Sequence, residues 1–131
     1  MRPDDWPALL DGYIDQARRA PFAWGQNDCV TFSCGWHRMM TGRDAYAEFR
    51  EKYETETAAF RIMAAHGVHS MEEAGRFLFG EPQHGTSHIQ RGDIVHADGA
   101  LGICTGAHGA FLSIEGLTFL RHSSFDMGWK I

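Results

Sequence analysis

Cys29 directly follows Asp28, and ahead of that pair runs Phe22-Ala23-Trp24-Gly25-Gln26-Asn27, a turn loaded with polar side chains. Asp is a favoured helix N-cap, so the sequence predicts a helix that starts at Cys29, with the thiol close to unpaired N–H groups and the positive end of the helix dipole. A thiol held there is expected to ionise more readily than a free one, which makes Cys29 a candidate nucleophile. A nucleophilic thiol works with a base. His37 is excluded, because it lies two turns further along the same helix, about 12 Å away along the axis. Gln26 and Asn27 could each donate to an oxyanion from the turn, although plain turn hydrogen bonding accounts for both. Capping alone accounts for Asp28.

The other chemistry-bearing residues give weaker signals. Cys29, Cys34 and Cys104 are odd in number and lack C-x-x-C spacing, so free thiols are the default reading, with Cys104 a core residue. The eight histidines show neither an H-x-x-x-H nor an H-E-x-x-H arrangement. No metal and no cofactor is expected. His108 and His122 fall in or after loops, where solvated histidines are common.

Elements that must position Cys29 can be read on both sides of it. Trp6, Leu9, Leu10, Tyr13, Ile14 and Ala17 follow a 3.6-residue period and predict a helix over 4–19, stopped by Pro21. The second helix runs from Cys29 to about Met40 and exits at Thr41-Gly42. From Asp44 to Gly80 the pattern is helical in pieces: Tyr46, Phe49 and Tyr53, then Ala59, Phe60 and Met63, then Met71 to Phe79. Ser70 and Glu73 form an S-x-x-E capping box for that last piece, with Met71, Ala74, Phe77 and Leu78 as its buried stripe.

After a polar divide at 81–90 the period changes. Ile94–Ala97 and Ala100–Thr105 flank Asp98-Gly99, the pair typical of a two-residue type I′ hairpin turn. Two more short strands follow at 110–114 and 117–120, and 128–131 adds a last one. Helices first and an antiparallel meander second define an α+β fold, with N-terminal helices packed on a small antiparallel sheet. The helical half is 1–80 and the strand half 91–131, in one domain.

Size and charge narrow the function classes. At 131 residues and 44% hydrophobic content the chain fits one core. Its net charge is −5 and its 12 Lys and Arg are scattered, so no nucleic-acid partner is expected. No stretch approaches the roughly 18 apolar residues of a membrane span, and the acidic N-terminus does not read as a signal peptide. A cytoplasmic location at synthesis is the expectation.

Taken together, three segments carry a resemblance: Phe22-Ala23-Trp24-Gly25 with Asp28-Cys29, then Arg91-Gly92-Asp93-Ile94-Val95, then Leu101-Gly102-Ile103-Cys104-Thr105-Gly106. In this order they resemble the NlpC/P60 superfamily of papain-like cysteine peptidases, and more closely its small branch encoded in phage and prophage tail gene clusters. The resemblance implies a peptidoglycan-type amide substrate, with Cys29 as nucleophile, a histidine as its base and a third polar group that orients the base. His108 or Ser113 would hold the orienting position, and Trp24, Asn27 and Asp28 would border the substrate groove.

One position departs from the pattern. The residue corresponding to the catalytic histidine is Ala100, which can neither accept nor donate a proton. His96 could replace it only with a longer turn, because a two-residue Asp98-Gly99 loop pairs Ala97 with Ala100 and points His96 to the opposite face. Two functions follow from the resemblance. The first is a phage or prophage tail component, at the tail tip or hub, whose peptidase-like domain has lost its base; it would bind other tail proteins and reside in the virion tail. The alternative is an active cysteine amidase or endopeptidase that acts on peptidoglycan peptides, using Cys29 with His96 or another histidine recruited by the fold.

Overall fold

The computed structural model describes residues 2–131 and has an α+β architecture. Four helices come first, α1 (Trp6–Arg19), α2 (Cys29–Thr41), α3 (Glu56–Ala65) and α4 (Met71–Phe79). The strands β1 (Ile94–Ala97), β2 (Ala100–Cys104), β3 (His108–Ser113), β4 (Gly116–Arg121) and β5 (Met127–Trp129) follow, with a 3-10 turn at His122–Ser124. They form one antiparallel sheet in the order β4-β3-β2-β1-β5.

Local chemistry explains most of these boundaries. α1 starts without a side-chain cap but has Pro7 in its first turn and Arg18 and Arg19 in its last, where cations suit the dipole. α2 ends on Gly42 in the left-handed conformation. At α4, Ser70 Oγ accepts from Glu73 N, but the Glu73 carboxylate accepts from His69 N rather than from Ser70. The expected box is therefore offset by one residue in its return bond. Asp98 and Gly99 have φ of 50° and 73°, the positive pair a type I′ turn needs, and Ala97 pairs with Ala100.

Alternation along the strands sorts the sheet into two faces. Ile94, Leu101, Ile103, Ala110, Leu112 and Trp129 join the helices in the main core, together with Leu10, Phe32, Trp36, Met40 and Leu78. On the other face Val95, Ala97, Cys104 and Phe111 close against Ile89 and Phe125. Trp36 is fully buried and its Nε1 donates to the Gly92 carbonyl at 2.8 Å, which ties α2 to the start of β1.

Two sequence expectations need correction. Residues 44–52 form turns, not a helix, although Tyr46, Phe49 and Tyr53 are all buried as their spacing suggested. In α4 the buried face is Ala74, Gly75 and Leu78, while Phe77 is 42% exposed. The cause is close approach: a Cβ on Gly75 would run into the Trp129 ring, so the helix lies on the sheet at its glycine and turns Phe77 outward.

Candidate active-site groove

The turn before α2 is built around one carboxylate. Asp28 is 1% exposed, and its Oδ1 accepts from Val30 N at 3.0 Å and Thr31 N at 2.9 Å. Its Oδ2 accepts from Gly25 N and from the Tyr53 hydroxyl, both at 2.8 Å. Thr31 Oγ1 returns the cap by accepting from Asp28 N at 2.7 Å. Gly25 is needed for two reasons: its φ is +83°, and a Cβ there would strike the Tyr53 carbonyl. Asp28 is therefore the structural centre of the turn, and every bond it makes locks the entry to α2.

Cys29 emerges from this turn as the first residue of α2, half-buried. Burial pushes its thiol up to about 11 from an ordinary 9.0, and the nearby Asp28 charge pushes the same way. The amides of Leu101, Cys29 and Val30 pull in the opposite direction without offsetting this. The expectation of an easily ionised thiol is thus overturned. Its physical basis fails because Asp28 occupies the free N–H groups of the first turn and places a negative charge beside the sulfur. The neighbour of the thiol is Met71 at the start of α4, with Sγ to Sδ at 3.7 Å.

Cys29 opens into a groove of about 330 Å³ whose walls come from three parts of the chain. Phe22 and Trp24, in edge-to-face contact at 4.9 Å between ring centres, line it from the turn. Ala100, Leu112, Ser113 and Ile114 line it from the ends of β2 and β3, and Glu56 and Glu115 supply carboxylates. Continuing the β2–β3 register sets Ser113 across from Ala100. Cys29, Ala100 and Ser113 thus share one groove, and among the described residues no histidine lines it.

The remaining sequence candidates lie elsewhere. His96 pairs with Leu101 and shares the helix-facing side of the sheet, the opposite face from Ala100. It is 7% exposed, and its Nδ1 lies 3.1 Å from Asp126 Oδ2. Among the described residues no histidine hydrogen-bonds Cys29. Asn27 donates to the Ala20 and Pro21 carbonyls at 3.2 and 2.9 Å, the turn bonding that needs no catalytic reading. Gln26 is exposed and borders a separate polar cavity of about 480 Å³ with Thr31, Arg38, Asp44 and Arg50. His108 is exposed at the start of β3, at the opposite end of that strand from Ser113. Cys104 is fully buried.

Met71, Tyr53, Glu56 and Asp93 were not singled out from sequence as site residues. Asp93, fully buried, accepts from Gln90 N at 2.9 Å and Ile131 N at 3.3 Å, and so fixes the entry to β1. The Gly-Asp pair before β1 was the available signal for it. Nothing in the periodicity of α4 or in residues 53–56 marks the other three, because their partners are distant in sequence.

Among the described residues no three His, Cys, Asp or Glu side chains gather as metal ligands, and no helix is long and apolar enough to cross a membrane. The model of one family, described as a domain of unknown function (DUF6950), matches residues 1–131. No curated protein and no solved structure matches the chain.

Proposed function

The chain belongs to the DUF6950 family, and we propose that it is a peptidase-like domain that has lost its catalytic base and serves as a structural component of a phage or prophage tail tip or hub. The observation that carries this reading is that Ala100 and Cys29 line one groove, with Met71 as the neighbour of the thiol. The helix-borne Cys29 precedes β1, β2 and β3, the order that the resemblance to NlpC/P60 peptidases implies. A thiol raised to about 11 is almost wholly protonated at neutral pH, and among the described residues no histidine lines the groove to take its proton in an acyl transfer. What is left is a surface with aromatic and aliphatic walls that holds a peptide without cleaving it, during assembly or cell-wall contact.

A second reading rests on His96 and Asp126. Buried His96 and exposed Asp126 are in hydrogen-bond contact, the kind of base–orienter pair that a cysteine amidase needs, and His96 lies on the same side of the sheet as the helices. Incubation of the purified protein with peptidoglycan peptides, followed by mass spectrometry, separates the two. Intact peptides together with slow alkylation of Cys29 support the tail component. Release of fragments that stops in both Cys29→Ser and His96→Gln would establish the amidase instead.

A further inference from the structure

The sheet ends in two edges of different character. β5 is three residues long, and Gln83 N donates to the Gly128 carbonyl at 2.8 Å, so the 81–90 segment covers that edge. β4 is six residues long, Gly116 to Arg121, with no proline and no charge before its last residue. Its register on β3, together with the bond from His122 N to the Ala107 carbonyl at 2.9 Å, turns the backbone groups of Gly116, Thr118 and Leu120 toward β3. The N–H and C=O groups of Leu117, Phe119 and Arg121 therefore point outward, and among the described residues no hydrogen bond uses them. Phe119 is 39% exposed under the Arg18 guanidinium, and Ile114 at the adjoining turn is 68% exposed. Long apolar edges of this kind are usually blunted, because they template pairing with another strand.

We infer that β4 is a dimerisation edge, on which a second copy of this chain pairs antiparallel to give one sheet continuous across both copies. Charge complementarity selects the occupant and the register. A two-fold axis through the Thr118 pair sets Leu117 opposite Phe119 of the second copy, and the reverse, where each pair exchanges both N–H···O bonds. Just beyond, at the turn that leads into β4, it brings Glu115 close to Arg121 of the second copy. Among the described residues neither Glu115 nor Arg121 has an ion-pair partner in its own chain. Centring the axis on Phe119 instead would set Leu117 against Arg121 and leave both charges unmatched. Because Glu115 lines the Cys29 groove, the selected register also carries Arg121 of the second copy to the rim of that groove.

Sedimentation velocity on the full chain tests this with charge exchange. The wild-type protein is expected to be a dimer. Glu115→Arg and Arg121→Glu each place like charges opposite one another twice, and each is expected to weaken dimerisation about tenfold. The double variant restores opposite charges across the axis and is expected to return to within about threefold of wild type. Phe119→Pro removes an outward N–H while leaving the β3 ladder intact, and is expected to be monomeric with an unchanged circular dichroism spectrum. A wild-type protein that stays at the 14.7 kDa monomer mass up to on the order of 100 μM overturns the inference. Single charge variants that dimerise like wild type, or a double variant no better than the singles, overturn it equally, whether or not the proline variant folds.

Discussion

The sulfurs of Cys29 and Met71 lie 3.7 Å apart, so the first residues of α2 and α4 meet where β2 begins. A thioether is a weak acceptor and cannot take a proton from a thiol at neutral pH. This contact occupies one side of the sulfur with a group that is no base. It also excludes water there, which contributes to the burial that raises the thiol.

Alkylation of Cys29 should therefore depend on pH in a particular way. With its ionisation near 11, the iodoacetamide rate is expected to climb about tenfold per pH unit from 7 to 10 and to level off only near 11. The same shift fixes a sign for stability. The folded state holds the proton more tightly than the unfolded chain, whose thiol titrates near 9.0, so this contribution is intact below about 9 and is lost as pH rises toward 11. Urea unfolding in steps between pH 8 and 11, compared with Cys29→Ser, checks it.

Adding an imidazole at residue 100 is the direct test of the groove. Ala100→His places a cationic or neutral imidazole in the groove that Cys29 opens into. The apparent ionisation of the thiol is expected to fall, and alkylation at pH 7 to rise at least about tenfold over wild type. A rate unchanged from wild type would mean that position 100 does not face the sulfur. Combining it with Met71→Ala should increase the gain.

Asp28 should prove more important for folding than for chemistry. Asp28→Ala leaves Val30 N, Thr31 N, Gly25 N and the Tyr53 hydroxyl without their acceptor, three of them backbone donors at a helix entry. The expected loss is about 3 kcal/mol, from an N-cap of about 1 kcal/mol and the remaining charge-assisted bonds. Tyr53→Phe removes one of those bonds and is expected to cost about 1.5 kcal/mol. Both are read from denaturant midpoints at constant slope.

Gly75→Ala probes the contact between α4 and β5. The new methyl would press into the Trp129 ring, which also donates from Nε1 to the Gly80 carbonyl at 2.7 Å and cannot move freely. Helix propensity alone favours alanine by up to ~1 kcal/mol, whereas overpacking costs about 1–3 kcal/mol. A net destabilisation of about 1 kcal/mol is expected in chemical denaturation, and a net gain would show that the helix can lift off the sheet.

Several features were legible because their causes are local. Asp28 caps α2, Ser70 caps α4, Gly42 ends α2, and Asp98-Gly99 turns the β1–β2 hairpin, each through groups within a few residues of one another. The 44–53 segment was not legible for the opposite reason. Tyr46, Phe49 and Tyr53 have helical spacing, but Tyr46 donates to the Gly25 carbonyl at 3.2 Å and Tyr53 donates to Asp28, and these bonds hold the segment in turns against the α2 entry. Phe77 likewise satisfied the period of α4, and only Trp129 arriving from the end of the chain made Gly75 the buried position.

The site divides along the same line. By itself, the sequence determined that a cysteine opens a capped helix, that a two-residue turn sends His96 and Ala100 to opposite faces, and that no proton acceptor stands at residue 100, since capping and strand alternation act over a few residues. Tertiary structure decided what the thiol can do. Its ionisation is set first by burial against Met71 and the start of β2, segments far from Cys29 in the chain, with the adjoining Asp28 charge adding to it, and desolvation of that kind cannot be read from neighbours in sequence.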